Sequence, residues 1–339
     1  MGIKRVLRWA TCLLALCVVG CMSAAPRPTE AMRIQVVDAD VALFWQVYDA
    51  VGAMDDRQQQ LDYLQTHYLD AGTPGLTAFA EAKGYTAADY VDAIRAYPAY
   101  WDSVRPRTAL AKDVLDRVEA HLPRFPEVYP RLRPATVYFE VGALRSAGTT
   151  REDKVLIGVE MATGDEGVDT RQMPAGLQRF FDGYFASRPL DNLDLLVVHE
   201  LVHTQQRGER GSLLAQALYE GVADFVARQV TGRLPDLDYV RYGPAHDKEV
   251  KAAFVRDMHT NDYSGWLYNS IDNPFGTRDL GYYIGYAICA AYYAGAEDKQ
   301  AAIAGMIELD YADAVAVERF VAASGYLDEG DAATPPARP

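Results

Sequence analysis

The segment Leu195-Leu-Val-Val-His199-Glu200-Leu-Val-His203 narrows what this chain can fold into more than any other. So apolar a run predicts a helix buried in a core. Residues four apart in a helix share a face, so His199 and His203 stand side by side with Cβ atoms roughly 5–6 Å apart. Placing two of only six histidines in one buried turn is costly unless something partners them. The spacing lets both rings reach one zinc ion. Glu200 follows the first imidazole directly, where its carboxylate reaches a water on the metal without itself ligating. Asp191 and Asp194 stand where a capping pair would open the helix.

A catalytic zinc site takes a third protein ligand. The metzincin pattern would put Gly at position 206 and His at 209. This chain has Gln206 and Glu209 there, which excludes that class and leaves Glu209 as a weak ligand candidate. The next helix offers a better one. Ser212 can cap a helix that runs through Ala217, Glu220, Gly221, Asp224 and Val226, in which Glu220 sits in an otherwise apolar setting. Gly221 costs about 1 kcal/mol relative to Ala in mid-helix, which is reasonable where another backbone approaches closely. Asp224 lies one turn beyond Glu220, placed to accept the distal N–H of a ligating imidazole and so fix its tautomer.

The rest of the chain suits a globular host. Half of its 339 residues are apolar and 24% are charged, enough for one large domain or two modest ones. A net charge of −14 without a basic block argues against nucleic-acid partners. The front end reads as a targeting segment. Lys4, Arg5 and Arg8 precede a largely apolar run from Trp9 to Val19, too short to span a bilayer. The run ends in Val18-Val19-Gly20-Cys21, which resembles the lipobox of bacterial lipoproteins. Residues 1–20 are then a lipoprotein signal peptide, Cys21 the acylated first residue, and 21–31 a short tether to a lipid membrane. Met22 after the Cys favours the periplasmic face of the outer membrane if the cell is Gram-negative. Cys289, in an apolar run, reads as a buried core thiol.

Residues 32–134 read as a helical N-terminal lobe. Val41, Phe44, Tyr48 and Val51 recur at helical spacing behind Asp38, and Thr86 can cap a helix that ends before Pro98. Pro123, Pro126, Pro130 and Pro134 stop any helix and mark the boundary with a second lobe, 135–326. That lobe opens with two strand candidates, Thr136–Val141 and Val155–Met161, whose intervening polar loop suggests an antiparallel hairpin. Helices follow, interrupted by a Tyr- and Asp-rich irregular stretch over 235–279. The polar, Pro-rich tail over 327–339 reads as disordered. The expected fold class is α+β, mainly helical.

His199-Glu-Leu-Val-His203 followed by Glu220-Gly-Val-Ala-Asp224 resembles the gluzincin arrangement of zinc metallopeptidases. The wider pattern is similar to the DUF2268-type predicted zinc-dependent proteases and the related gliding-motility lipoproteins. Their Gly-Tyr-x-x-Gly-Tyr pattern is matched by Gly281-Tyr282-Tyr-Ile-Gly285-Tyr286. The resemblance implies a zincin-like catalytic lobe with a short antiparallel sheet and one Zn2+ held by His199, His203 and Glu220. It implies hydrolysis of a peptide or protein substrate in the bacterial cell envelope, with Glu200 as general base. Tyr282 or Tyr286 would donate to the tetrahedral intermediate, and a strand such as Val155–Met161 would offer its edge to an extended peptide. Arg278 is a candidate for a substrate carboxylate, although the reading as a surface arginine suits it better. His67 and His121 lack ligand spacing, and only His246 and His259 remain as outside contributors. The rival reading is a non-catalytic envelope lipoprotein, structural or binding, that retains the zincin fold. Glu200 separates the two, because a purely structural site has no use for a base beside its ligand.

Overall fold

The computed structural model describes residues 34–328. The signal peptide, Cys21, the tether and the tail beyond residue 328 lie outside the described residues. Strand β1 (Gln35–Val37) comes first, inside the stretch expected to be wholly helical. Helices α1 (Ala39–Gly52), α2 (Arg57–Leu64), α3 (Pro74–Lys83), α4 (Ala87–Ala96), α5 (Pro98–Thr108) and α6 (Ala111–His121) follow. Local chemistry sets several of their starts. The Thr73 hydroxyl accepts from the amides of Gly75 and Leu76 ahead of α3, and Thr86 and Asp89 close a capping box on α4. Asp38 precedes α1 as expected, but its side chain caps nothing. Phe44, Tyr68, Tyr90 and Trp101 pack ring against ring at the centre of this lobe. Across the Pro-rich stretch a 3-10 turn (Leu122–Arg124) and the single turn α7 (Phe125–Val128) form.

Strands β2 (Thr136–Glu140), β3 (Gly148–Arg151) and β4 (Lys154–Gly158) join β1 in one sheet of order β1-β2-β4-β3. The expected hairpin does not form. β2 and β4 run parallel, with Thr136 opposite Lys154, and β3 is the strand antiparallel to β4. The connection between β2 and β4 carries a strand of its own, so the chain has reversed twice before β4 begins. Strand structure also stops at Gly158, where Val159–Ala162 turns into the short helix α8. With β2 on one side and β3 on the other, β4 has no free edge; the edge belongs to β3.

The sheet positions the later helices. On one face Tyr138 lies against Gly75 of α3, and Arg151 pairs with Glu81 at 2.8 Å. Beyond α9 (Ala175–Ala186), the motif helix α10 (Leu193–His203) packs on the other face, with Leu196 against Gly148. Because β1 and α3 come from the N-terminal lobe, the Pro-rich stretch separates helices and not cores. One buried cluster runs from Phe44 to Val321.

The remaining helices are α11 (Leu213–Thr231), α12 (Asp238–Ala245), α13 (Asp247–Asp257), α14 (Leu280–Gly295), α15 (Lys299–Ile307) and α16 (Ala314–Ser324). Two of them, α12 and α13, fall in the stretch expected to be irregular. Pro244 and Gly243 disguise α12; a Cβ on Gly243 would come 2.2 Å from the Tyr283 ring, so that glycine makes room for an aromatic neighbour. α11 and α14 cross at Gly221 and Gly285. A Cβ on Gly221 would lie 2.0 Å from the Gly285 carbonyl carbon, and one on Gly285 would lie 1.9 Å from the Ala217 oxygen. This is the close backbone approach expected of Gly221. Cys289 is fully buried on α14. Among the described residues no helix is long and apolar enough to cross a membrane.

Candidate metal centre

α10 buries Leu195, Val197, Val198, Leu201 and Val202. Such side chains each stabilise by about 1.5–3 kcal/mol on burial, which keeps a helix bearing two imidazoles and a carboxylate inside the core. Its start differs from expectation. Asn192 occupies the cap position without a side-chain bond, and Asp191 pairs with Arg188. Asp194 is buried, accepts from His121 Nε2 at 3.0 Å and is ion-paired with Arg233. The residue read as a cap thus ties the N-terminal lobe to α10. His121, though no metal ligand, has that structural use.

Three atoms converge at the C-terminal half of α10. His199 Nε2 lies 3.0 Å from His203 Nε2, and Glu220 Oε2 on α11 lies 3.3 Å from the first and 3.1 Å from the second. The far side of each ring fixes its tautomer. His199 Nδ1 donates to Asp224 Oδ1 at 2.8 Å, and Tyr239 donates to the other oxygen of Asp224 at 2.7 Å. His203 Nδ1 donates to Gln206 Oε1 at 2.6 Å; the Gln206 amide nitrogen is committed to Tyr219 O and Tyr311 OH, so its oxygen must face the ring. With both Nδ1 atoms donating, both Nε2 atoms turn lone pairs inward, toward a carboxylate oxygen. Three acceptors this close repel unless a cation sits among them, and the buried trio could hold one metal ion.

A proton can supply that positive charge as well. Burial works against a charge on His199, but hydrogen bonds and charges from Asp224 and Glu220 outweigh it and hold its pKa well above the usual value. Burial likewise opposes ionised Glu220, yet His203 and His199 hold its pKa well below the carboxylate range. The pocket is built to keep a positive charge next to that carboxylate. Glu220 Oε1 is already engaged, receiving the Tyr268 phenol and Gln216 Nε2 at 2.9 Å, so one oxygen remains for a metal.

Glu200 is buried beside the trio and is held by the edge strand: the Thr150 hydroxyl lies 2.6 Å from Glu200 Oε2 and 3.1 Å from its backbone oxygen. Of the two candidate tyrosines, only Tyr282 lies here. Its ring centroid is 6.1 Å from that of His199. Burial and the charge of Glu220 push its phenol well above the usual range, which keeps it a proton-bearing donor. Tyr286 instead receives a hydrogen bond from Arg228 and packs on Phe225. Its phenol is taken on the far side of the α11–α14 contact. Glu209 is exposed and outside the trio. His246 is exposed and His259 pairs with Glu318, so neither joins the centre. Arg278 donates to Asn269 O at 2.7 Å and covers the Phe180 ring.

Two participants, Thr150 and Tyr268, have no signal in the helical spacing, whereas Gln206 and Gln216 stand three and four residues from His203 and Glu220 and could have been found by it. Tyr268 stands out by its backbone, with φ 55° in the left-handed region, and by its exposure of 60% despite touching Glu220. A bulky residue held in that region costs on the order of 1–3 kcal/mol, a strain common at ligand sites. Comparison with family models, with curated proteins and with solved structures finds no match.

Proposed function

We propose that this protein is a zinc-dependent metallopeptidase with a zincin-like core, tethered through acylated Cys21 to the bacterial cell envelope. The observation that carries this reading is the inward convergence of His199 Nε2, His203 Nε2 and Glu220 Oε2 with Glu200 at their side. Donors around a tetrahedral zinc at about 2.0–2.1 Å stand roughly 3.3 Å apart, close to the separations here. Two imidazoles and one carboxylate leave a fourth position open, as a hydrolytic site requires. Zinc in this position would supply Lewis acidity toward a carbonyl oxygen and toward water.

The chain's own residues do the rest. Glu200 takes the proton of the attacking water and later returns it to the leaving amine, with Thr150 fixing its carboxylate. Asp224 and Gln206 keep both rings in the ligating tautomer. Tyr268 and Tyr282 bring phenols to the centre; the Tyr268 proton is given to Glu220 Oε1, so Tyr282 beside His199 is the better donor to a developing oxyanion. The free edge of β3, whose Thr150 contacts Glu200, is the surface on which an extended peptide can add a strand.

Peptide-library cleavage by the zinc-loaded protein, beside Glu200→Gln, tests the reading. Cleavage that falls at least a hundredfold in Glu200→Gln, with zinc content unchanged, is expected. Zinc-loaded wild-type protein that cleaves no peptide would overturn it in favour of a non-catalytic envelope lipoprotein.

A further inference from the structure

An arginine stands beside the centre without a carboxylate partner among the described residues. Arg210 lies in the connection between the two ligand helices. Its Nε donates to Gln216 Oε1 at 3.0 Å, and its guanidinium sits 4.2 Å from the centroid of the Tyr219 ring. Gln216 in turn donates to Glu220 Oε1 at 2.9 Å and to the Tyr268 phenol at 2.8 Å, and Tyr219 stacks on His203 at 4.3 Å. One neutral side chain therefore separates Arg210 from each of two metal-site ligands. The residue is exposed, and beyond Nε the guanidinium's only other hydrogen bond among the described residues is a long one, 3.5 Å, from Nη1 to Gly208 O. Most of the planar fork faces outward with its donors unused.

An unpaired cation here runs against the character of the chain. Its net charge is −14, and several of its arginines meet aspartates or glutamates, as Arg57, Arg105 and Arg145 do, while others such as Arg95 and Arg228 meet only neutral groups. An acidic surface repels an acidic ligand at long range, so local cations beside a cleft act as the counter-design that admits one. A guanidinium with free donors matches a carboxylate in bidentate geometry, which a lysine or a neutral donor does not.

We propose that the centre takes substrates carrying a carboxylate next to the group that meets the metal, an acidic side chain or a free C-terminus, with Arg210 binding it. This rests on the metallopeptidase reading for the reaction, but not for the binding. Arg210 touches neither the metal-facing atoms nor Glu200, so its part is recognition.

The test uses the whole zinc-loaded protein and peptide hydroxamates, whose chelating group anchors them at zinc whether or not the protein turns a peptide over. Pairs differing only as Glu against Gln, or as free acid against amide at the C-terminus, are compared by calorimetry. At one position the acid is expected to bind about tenfold tighter or more, and the advantage should shrink as salt is raised. Arg210→Gln, which keeps a hydrogen-bonding group toward Gln216, should erase the advantage while zinc content stays at one equivalent; Arg210→Lys should retain part of it. Equal affinity of acid and neutral probes at every position in the wild-type protein overturns the proposal, as does an advantage unchanged in Arg210→Gln. A protein that prefers the acid probes yet cleaves no peptide would leave this inference standing and remove only the hydrolytic one.

Discussion

At the scale of single residues, the centre is a set of acceptors aimed at one another and oriented from behind. Asp224 is the most exacting of those supports, because it is buried and bonds both His199 and Tyr239. Asp224→Asn should weaken zinc binding about tenfold to a hundredfold, read as competition with a chelator, with helix content unchanged by circular dichroism. Unchanged affinity would mean that the His199 tautomer is set by something else. The ligands and Asp224 were legible in the sequence because helix periodicity converts spacing into a shared face. Thr150 and Tyr268 were not, since a strand register and a left-handed loop residue bring them in from other parts of the chain; Gln216, four residues before Glu220 on α11, carries the same helical spacing and was overlooked. Tyr286 shows the limit of the same periodicity. It shares a helix face with Tyr282, but the Gly221–Gly285 contact divides that face, and only Tyr282 ends up beside His199.

Between elements, the glycine pair sets the distance at which α11 presents Glu220 to α10. Backbone fills the space into which a Cβ would grow at Gly221, so it cannot yield as a side-chain end would. Gly221→Ala should therefore cost about 1–3 kcal/mol of stability or more, seen as a lower urea midpoint, and should weaken metal binding by pushing the helices apart. Full stability in that variant would contradict the close crossing. The crossing was readable as a cost, a mid-helix glycine beside a candidate ligand. Strand direction was not readable: the β-branched, aromatic runs of β2 and β4 announce strands without saying which way each points. The edge fell to Gly148–Arg151, whose short polar sequence reads as loop until its pairing with β4 is known.

In the molecule as a whole, the N-terminal lobe is joined to the rest by buried polar groups as well as by apolar packing. Tyr68 and Tyr90 both donate to Val141 O, and Tyr100 donates to Glu160 O at 2.7 Å. Glu140, at the end of β2, is fully buried with no hydrogen-bond partner for either oxygen. Burial, with the charges of Asp40 and Glu160, raises its pKa from 4.5 to about 9. A carboxyl whose pKa is raised by folding holds a proton that the unfolded chain releases. Its contribution is therefore full below about 4.5 and is lost progressively as pH rises toward 9. Glu140→Gln should flatten that decline, gaining over the wild-type protein at pH 8 and losing the gain at pH 4, as followed by urea midpoints. A difference independent of pH would show that Glu140 is not protonated in the fold. The seam also shows what the prolines leave unsaid about how the two lobes pack. They end helices through local geometry, whereas β1 crosses the boundary through long-range pairing that no local signal carries.

The central claim is the metal centre, and metal content of the whole protein by mass spectrometry tests it most directly, measured beside His199→Ala and Glu220→Ala. The account predicts one equivalent of zinc in the wild-type protein and loss of it in both variants. Wild-type protein that holds no metal after reconstitution with zinc, or zinc retained by His199→Ala, would contradict it.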